Sequence, residues 1–113
     1  VNYGGSTLMD LYVPTMDVSL VDLTFESARP LSKQAIHAAI QSASAGPMRD
    51  ILGYTEEPLV SSDYLGDPRS SIFDATLTQV MGERFAKVFA WYDNEWGFSN
   101  RMIELAELVA AQL

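Results

Sequence analysis

The chain has 113 residues, 15 acidic and 7 basic, giving a net charge of −8, and it has no cysteine. Its length and 48% hydrophobic content predict one globular domain without disulfides, and exclude a cysteine nucleophile, an Fe–S cluster and a thiolate metal site; the single His37 excludes a His-rich one. The acidic balance, the absence of a basic run and the absence of an apolar run of about 20 residues argue against nucleic-acid and membrane partners, so we expect a cytosolic protein.

The N-terminal quarter predicts a turn and then one long strand. Two adjacent glycines within the first seven residues favour a turn or a frayed end. Residues 8–25 are typical of a strand, but the apolar positions change phase between Leu20 and Val21. Either a bulge or a strand covered on both sides explains that change, and we favour a long strand that passes from one environment to another. Because the chain begins at Val1 and not at Met, we also expect a processed or shortened product.

A helix of about three turns follows this strand. Ser32 is a favourable N-cap, and Leu31 before it can pack onto Ile36. The predicted buried face contains Ile36, Ala39, Ile40 and Ala43. The helix is expected to end at Gly46, which Pro47 follows.

The middle of the chain predicts four further strands. Residues 51–54 and 59–61 indicate two short strands, and residues 62–71 form a turn-rich loop. Residues 72–81 and 85–92 are typical of a β-hairpin with its turn at Gly82 and Glu83.

Residues 98–113 predict a closing helix with an apolar stripe at Phe98, Met102, Leu105 and Val109. The element order is therefore β-α-β-β-β-β-α, an α+β fold with a mixed or largely antiparallel sheet and two helices covering one of its faces. The other face, carrying Trp91, Phe89 or their neighbours, is then expected to be a large apolar patch that associates with a partner.

The residues do not support a complete catalytic constellation. His37 is the only neutral base, and its place beside the apolar stripe favours a helix-surface or boundary histidine over a triad member. Among the carboxylates, Glu56 and Glu57 suggest a solvated turn, and Asp93 with Glu95 a solvated strand end, although a shared face leaves acid–base work open. We predict no catalytic residue and no metal ligand.

The segment 91–101 is the strongest candidate for binding. It joins a hydrophobic strand to an amphipathic helix through a polar elbow, a place where ligand sites often form. Asn94 offers an amide donor and an acceptor, which suits a carboxamide group. The alternative is that Asn94 only supports the turn and that Ser99 or its neighbours cap the helix.

Four blocks of the sequence closely resemble the glyceraldehyde-3-phosphate dehydrogenase family. They are residues 91–101 (WYDNEWGFSNR), 13–24 (VPTMDVSLVDLT), 51–63 (ILGYTE running into VSSD) and 66–75 (GDPRSSIFDA). The resemblance covers residues 13–113 and identifies a partial catalytic domain with its terminal helix, whereas residues 1–12 match poorly.

The resemblance assigns a role to Asn94 and shows what the chain lacks. Asn94 matches the asparagine that hydrogen-bonds the nicotinamide carboxamide, and Phe98 stands where many members have a tyrosine near the nicotinamide. Tyr12 occupies the position of an arginine that helps to bind the substrate phosphate, and it has no guanidinium for that purpose. The family's catalytic Cys, its His partner and its glycine-rich nucleotide-binding domain are not in this sequence.

The resemblance therefore implies a C-terminal catalytic-domain portion of a phosphorylating dehydrogenase that uses NAD or NADP when complete. We expect the chain alone to be inactive and to bind the cofactor weakly or not at all, because the diphosphate site is missing. The expected partners are further copies of the chain or the remainder of the dehydrogenase. Alternatives are a stand-alone binding or oligomerisation module derived from the same fold, or part of an erythrose-4-phosphate dehydrogenase, whose C-terminal signature is similar.

Overall fold

The computed structural model describes the backbone of residues 7–11 and the whole of residues 17–113. The predicted N-terminal turn, the side chains of the poorly matching segment 1–12, Tyr12 itself and the start of the block at residues 13–24 lie outside the described residues.

Five strands form one mixed sheet. The strands are β1 (Thr7–Leu11), β2 (Ser19–Glu26), β3 (Leu52–Thr55), β4 (Ser71–Met81) and β5 (Phe85–Tyr92), in the spatial order β1-β2-β5-β4-β3. Only β3 and β4 are parallel; the other neighbours are antiparallel. The helices are α1 (Lys33–Ala45) and α2 (Trp96–Ala110). The α+β class, the mixed sheet and the two helices are confirmed.

The predicted strand over residues 8–25 is in fact two strands, because β1 and β2 pair with each other in an antiparallel manner. β2 pairs with β5 in continuous register, so no bulge explains the change of phase after Leu20. On the face that Leu20 shares with Trp91, the next residue is Asp22, whose carboxylate lies 2.7 Å from Lys87 Nζ. One face of β2 thus passes from apolar to ionic surroundings, and this accounts for the change.

The predicted strand at residues 59–61 is wrong. A 3₁₀ turn, Ser61–Tyr64, occupies this part of the chain. The Asp63 carboxylate accepts a hydrogen bond from Val60 N–H at 2.8 Å, and Asp63 N–H donates to the Val60 carbonyl at 3.0 Å. Such local bonds compete with sheet pairing. The turn also directs Tyr64 onto the sheet, where its ring stacks on Trp91 at a centroid distance of 5.4 Å.

The helix α1 packs on the face of the sheet opposite Trp91. Its N-cap is confirmed, since Ser32 Oγ accepts from Ala35 N–H at 3.1 Å, and Ile36 is buried against Phe73 and Ala86. Leu31 joins the same cluster, as the predicted contact with Ile36 requires. Ala39 is exposed, contrary to prediction, because the helix turns His37 toward the strands in its place.

The two remaining predictions about surfaces are wrong. Trp91 and Phe89 do not form an open apolar patch; both are half-buried, with Tyr64 stacked on Trp91 and Lys87 Nζ 5.3 Å from the Phe89 ring centroid. The helix α2 does not cover the sheet, and within the described residues its one buried position is Gly97. Its apolar stripe is more than half exposed: Phe98 65%, Met102 51%, Leu105 54% and Val109 51%.

Among the described residues, no helix has the length and apolarity that crossing a membrane requires.

Candidate functional site

The elbow between β5 and α2 is organised by Asp93. Asp93 directly follows the last residue of β5, and only 3% of Asp93 is exposed. Oδ1 accepts hydrogen bonds from Glu95 N–H at 3.1 Å and from Trp96 N–H at 2.7 Å, and Oδ2 accepts from Gly66 N–H at 2.9 Å. Because the Asp93 carbonyl also accepts from Gly97 N–H, Asp93 acts as the cap of α2.

The same contacts set the charge of Asp93. Burial alone raises the pKa of its carboxyl, but the N–H groups of Trp96, Gly66 and Glu95, together with a side-chain hydrogen bond with Asp17, outweigh burial and hold the pKa below its ordinary value. The group is therefore a carboxylate at neutral pH. A negative charge at the first turn is also favourable for the helix dipole.

Two further contacts fix the first turns of α2 against the loop before β4. A Cβ added to Gly97 would lie 3.0 Å from the Arg69 carbonyl oxygen, so any larger residue would require the Arg69 backbone to shift by a few tenths of an ångström. One turn later, Arg101 Nη1 donates to Ser70 Oγ at 3.2 Å. Residues 17–113 provide no such support for the far part of the helix, where the apolar stripe is exposed.

A cleft of about 300 Å³ opens at this elbow, between the end of β5 and the first turns of α2. Its lining residues are Ser70, Tyr92, Asp93, Asn94, Gly97, Phe98 and Arg101. Both sequence-predicted cofactor residues, Asn94 and Phe98, therefore belong to one cleft. Each is exposed, and the Asn94 amide makes no hydrogen bond to a described residue.

One part of the predicted alternative, in which Asn94 supports the turn and Ser99 or its neighbours cap the helix, is wrong, because Ser99 itself does not form the cap. The Ser99 hydroxyl donates to the Glu95 carbonyl at 2.8 Å, inside the helix, and Asp93 performs the capping. Asn94 lies at the tip of the turn with its amide directed to no described partner, so it is available to a ligand.

The cleft suits part of a dinucleotide and not the whole. Its volume is at the lower end of the range for ligand pockets, about 300 to 1,000 Å³. Asn94 offers the donor and the acceptor that a carboxamide requires, and the rings of Tyr92 and Phe98 offer apolar contact to a flat ring. The sequence contains no glycine-rich loop for a diphosphate. These residues therefore fit the nicotinamide end alone.

The other sequence candidates lie elsewhere. His37 Nε2 is 3.0 Å from Thr78 Oγ1, and its ring makes edge contacts with Tyr54 and Phe73, so it is a boundary histidine between α1 and the sheet. Glu56 and Glu57 are exposed in a turn, where Glu56 accepts from the Tyr54 hydroxyl at 2.6 Å. In the part of the chain that the structure describes, no cluster of three acidic, His or Cys side chains could hold a metal.

A larger cleft, of about 490 Å³, lies between the end of α1 and β3. Arg69 lines its floor, where Nε and Nη2 donate to the two oxygens of Asp67 at 2.9 and 2.5 Å. This pairing lowers the pKa of Asp67, chiefly through the side-chain hydrogen bonds. The guanidinium is therefore already engaged by a carboxylate.

Sequence reasoning missed Ser70 and Arg101, and it missed the capping role of Asp93. Ser70 is 24 residues before Asn94 in the chain, and no local pattern brings the two together. The cap had a signal, because aspartate is a favoured N-cap residue whose carboxylate accepts from the N–H three residues later, here that of Trp96.

Comparison with known proteins shows the family of the chain. The family profile described as Glyceraldehyde 3-phosphate dehydrogenase, C-terminal domain, matches residues 5–94. The chain belongs to the glyceraldehyde-3-phosphate dehydrogenase family, and it corresponds to the C-terminal domain of those enzymes.

Three relatives illustrate the similarity. Glyceraldehyde-3-phosphate dehydrogenase 1 of Schizosaccharomyces pombe is 50% identical over 109 residues, 96% of this chain and 32% of the relative. The cytosolic enzyme of Craterostigma plantagineum is 52% identical over 96% of this chain and 32% of its own length. A chloroplastic enzyme of Arabidopsis thaliana is 52% identical over 95% of this chain and 26% of its own length. The chain spans about a third or less of these relatives.

Proposed function

We propose that the chain supplies the nicotinamide-facing C-terminal part of a phosphorylating glyceraldehyde-3-phosphate dehydrogenase that uses NAD or NADP. The observation that supports this proposal is the cleft at the β5–α2 elbow, which is lined by Asn94 from the turn and by Phe98 from the first turn of α2. In it, the Asn94 amide holds the carboxamide and Phe98 lies against the ring. The bound cofactor supplies hydride chemistry; this chain orients its reactive end and supplies no nucleophile.

The proposal is tested with a hybrid enzyme. This chain replaces the C-terminal third of the Schizosaccharomyces pombe enzyme, whose remaining part provides what the chain lacks. The hybrid is expected to reduce the cofactor when glyceraldehyde-3-phosphate and phosphate are present. The 113-residue chain alone is expected to show no turnover, because it has no cysteine. A well-folded hybrid without activity would contradict the proposal.

Asn94 is tested in the same hybrid. Asn94→Ala is expected to raise KM for the cofactor by about tenfold, the loss of a carboxamide hydrogen-bonded at both its ends. The matched control is Asn100→Ala, because the Asn100 amide donates to the Trp96 carbonyl within α2 and does not line the cleft. Equal KM values in the two variants would argue against the contact.

We propose glyceraldehyde-3-phosphate as the substrate and not erythrose-4-phosphate, because the three relatives described above carry the first name. We also propose the cytosol as the compartment, in line with the acidic composition and with the relative named cytosolic. Fractionation of cells that carry the tagged gene product tests the compartment, since one relative is named chloroplastic.

The proposed partners are the remainder of the dehydrogenase and further copies of it. The exposed stripe of α2 supports this, since a helix with Phe98, Met102, Leu105 and Val109 all more than half exposed needs apolar cover in water. An assembly module without catalysis would need the same cover. Light scattering of the chain tests self-association. A strictly monomeric species at high concentration would count against further copies of the chain as partners.

A further inference from the structure

The Asp93 carboxylate connects three separate segments of the chain. Asp93 directly follows β5, it caps the first turn of α2, and through Oδ2 it accepts from Gly66, 27 residues earlier; its side chain also shares a hydrogen bond with the Asp17 side chain. Solvent reaches only 3% of the residue. Both carboxylate oxygens are thus engaged by backbone N–H groups, which cannot reorient as side chains do.

Asn94 lies inside this arrangement. The bond from Glu95 N–H to Asp93 Oδ1, at 3.1 Å, closes a small ring of atoms around Asn94. Such an aspartate turn restricts both backbone dihedral angles of the enclosed residue. Since the Asn94 side chain has no described partner of its own, its direction depends on this backbone.

The hydrogen bond from Gly66 N–H connects the elbow to a second part of the chain, which the helix cap alone does not do. The cap would hold Asn94 relative to α2, whereas the bond at 2.9 Å to Gly66 holds the whole elbow relative to the loop that precedes β4. Ser70, later in the same loop, lines the same cleft as Asn94. The carboxylate therefore ties the elbow that carries Asn94 to the loop that supplies Ser70.

We propose that Asp93 is a positioning residue, which sets Asn94 in the orientation that receives the nicotinamide carboxamide. The inference rests on the proposed function, because it needs Asn94 to touch the cofactor. Asp93 itself touches no reacting atom and acts through Asn94 alone.

The informative substitution is Asp93→Asn. The amide has the same size but only one acceptor oxygen. It can therefore accept from the α2 N–H groups or from Gly66 N–H, and its NH₂ group faces the remaining N–H, with which it cannot form a hydrogen bond. A second variant, Asp93→Ser, keeps a cap and cannot reach Gly66. The matched control is Asp63→Asn, which disturbs a comparable carboxylate bond to Val60 N–H away from the cleft.

The experiment is a double-mutant cycle in the hybrid enzyme, with NAD or NADP, whichever supports turnover. Asp93→Asn and Asp93→Ser are each expected to raise KM for the cofactor by about three- to tenfold with a smaller change in kcat. In the Asn94→Ala background the same two substitutions are expected to cause no further rise in KM, because the side chain that Asp93 positions has been removed. Asp63→Asn is expected to leave KM unchanged in either background.

A second measurement needs no cofactor. Hydrogen exchange of the Gly66 and Glu95 amides in the full chain is expected to accelerate at least tenfold in Asp93→Asn, at one of the two sites or at both. Unchanged exchange at both would overturn the inference, whatever the kinetics.

The outcomes separate the two proposals. If Asn94→Ala raises KM but the Asp93 substitutions leave it unchanged, or multiply with Asn94→Ala, the positioning role is overturned and the cofactor contact stands. If Asn94→Ala leaves KM unchanged, the cofactor contact fails and the positioning role fails with it. Should Asp93→Asn prevent assembly, Asp93→Ser decides by the same comparison.

Discussion

The indole N–H of Trp91 donates a hydrogen bond to Oδ2 of Asp74 at 3.0 Å, between neighbouring strands on the face opposite α1. Asp74 is only 2% exposed, and its Oδ1 is engaged by the N–H and the hydroxyl of Thr76. The indole is therefore the partner that keeps the second oxygen of a buried carboxylate satisfied.

Trp91→Phe is expected to lower the free energy of unfolding by about 2 to 3 kcal/mol, because it leaves that oxygen without a donor and removes part of a packed ring. Urea denaturation measures the loss. The control is Trp96→Phe, since Trp96 is exposed and its indole has no hydrogen-bond partner among the described residues; a change below about 0.5 kcal/mol is expected there. Equal losses would show that Asp74 does not depend on the indole.

Gly53→Ala is expected to destabilise the chain by about 1 to 2 kcal/mol, although alanine suits a strand better than glycine. An added Cβ would lie 2.5 Å from Arg69 Nη1, and it would push the guanidinium away from Asp67. In an Arg69→Ala background the obstacle is absent, and the same substitution is expected to be neutral or slightly stabilising. Thermal unfolding of the four proteins in this cycle tests the prediction, which fails if Gly53→Ala behaves alike in both backgrounds.

The lowered pKa of Asp67 predicts that the free energy of unfolding decreases at acidic pH. Because hydrogen bonds from Arg69 lower the pKa of Asp67 in the folded state, its contribution to stability is present above the ordinary aspartate pKa and disappears as pH falls through the lower, folded value. Asp67→Asn is expected to reduce stability by about 1 kcal/mol at pH 7, a modest value since the pair is partly exposed. The difference from the native chain should shrink as the pH is lowered from about 5 to 2.

The control for this acid titration is Asp50→Asn. Asp50 is an exposed carboxylate with φ of 66°, a conformation that asparagine also adopts readily, and it has no partner among the described residues. Because no described group contacts this carboxylate, Asp50→Asn is expected to change stability by less than about 0.5 kcal/mol. A stability difference for Asp67→Asn that stays constant from pH 7 to pH 2 would contradict the assignment.

Tyr64→Phe is expected to stabilise the chain by about 1 kcal/mol. The Tyr64 hydroxyl is buried without a hydrogen-bond partner among the described residues, whereas the ring keeps its stacking on Trp91 in the variant. The control Tyr54→Phe is expected to be neutral or mildly destabilising, because the Tyr54 hydroxyl donates to Glu56. A less stable Tyr64→Phe protein would show that the hydroxyl is satisfied.

The same residue has a consequence at high pH. Burial, followed by the nearby charges of Asp74 and Asp63, raises the pKa of Tyr64 to about 12. The unfolded chain releases this proton near pH 10, so stability is full below pH 10 and falls as pH rises toward 12. Tyr64→Phe should reduce that fall, which fluorescence-monitored urea titrations at several pH values can measure. An unchanged alkaline slope would contradict it.

The elements with strong local signals were predictable from the sequence. The Ser32 cap and the Gly46 stop defined α1, and Gly82, which adopts φ of 62°, defined the hairpin of β4 and β5. These residues act on their immediate neighbours, so a pattern of a few positions is sufficient. Asn94 was a candidate for a similar reason, since its amide chemistry is visible in the residue itself.

The features that depend on distant contacts were not predictable. Residues 59–61 have strand-forming side chains, but the Asp63 carboxylate and the stacking of Tyr64 on Trp91 favour a 3₁₀ turn. The second wall of the cleft, Ser70, reaches Asn94 only through the pairing of β4 with β5. Likewise, the amphipathic stripe of α2 predicted burial against the sheet, because hydrophobic periodicity identifies an apolar face and does not identify what covers it.

Among the described residues, α2 is held against the rest of the domain through its first turns only. Fifteen residues long, it extends for about 22 Å from its anchor at Asp93 and Gly97. If the helix tilts by about 5° about that anchor, its Ala110 end moves by about 2 Å, whereas Asn94, next to the anchor, changes position little. Because the turn that carries Asn94 leads directly into α2, a surface that covers the exposed stripe of the helix would contact the same element that borders the cleft, at distances of up to about 20 Å.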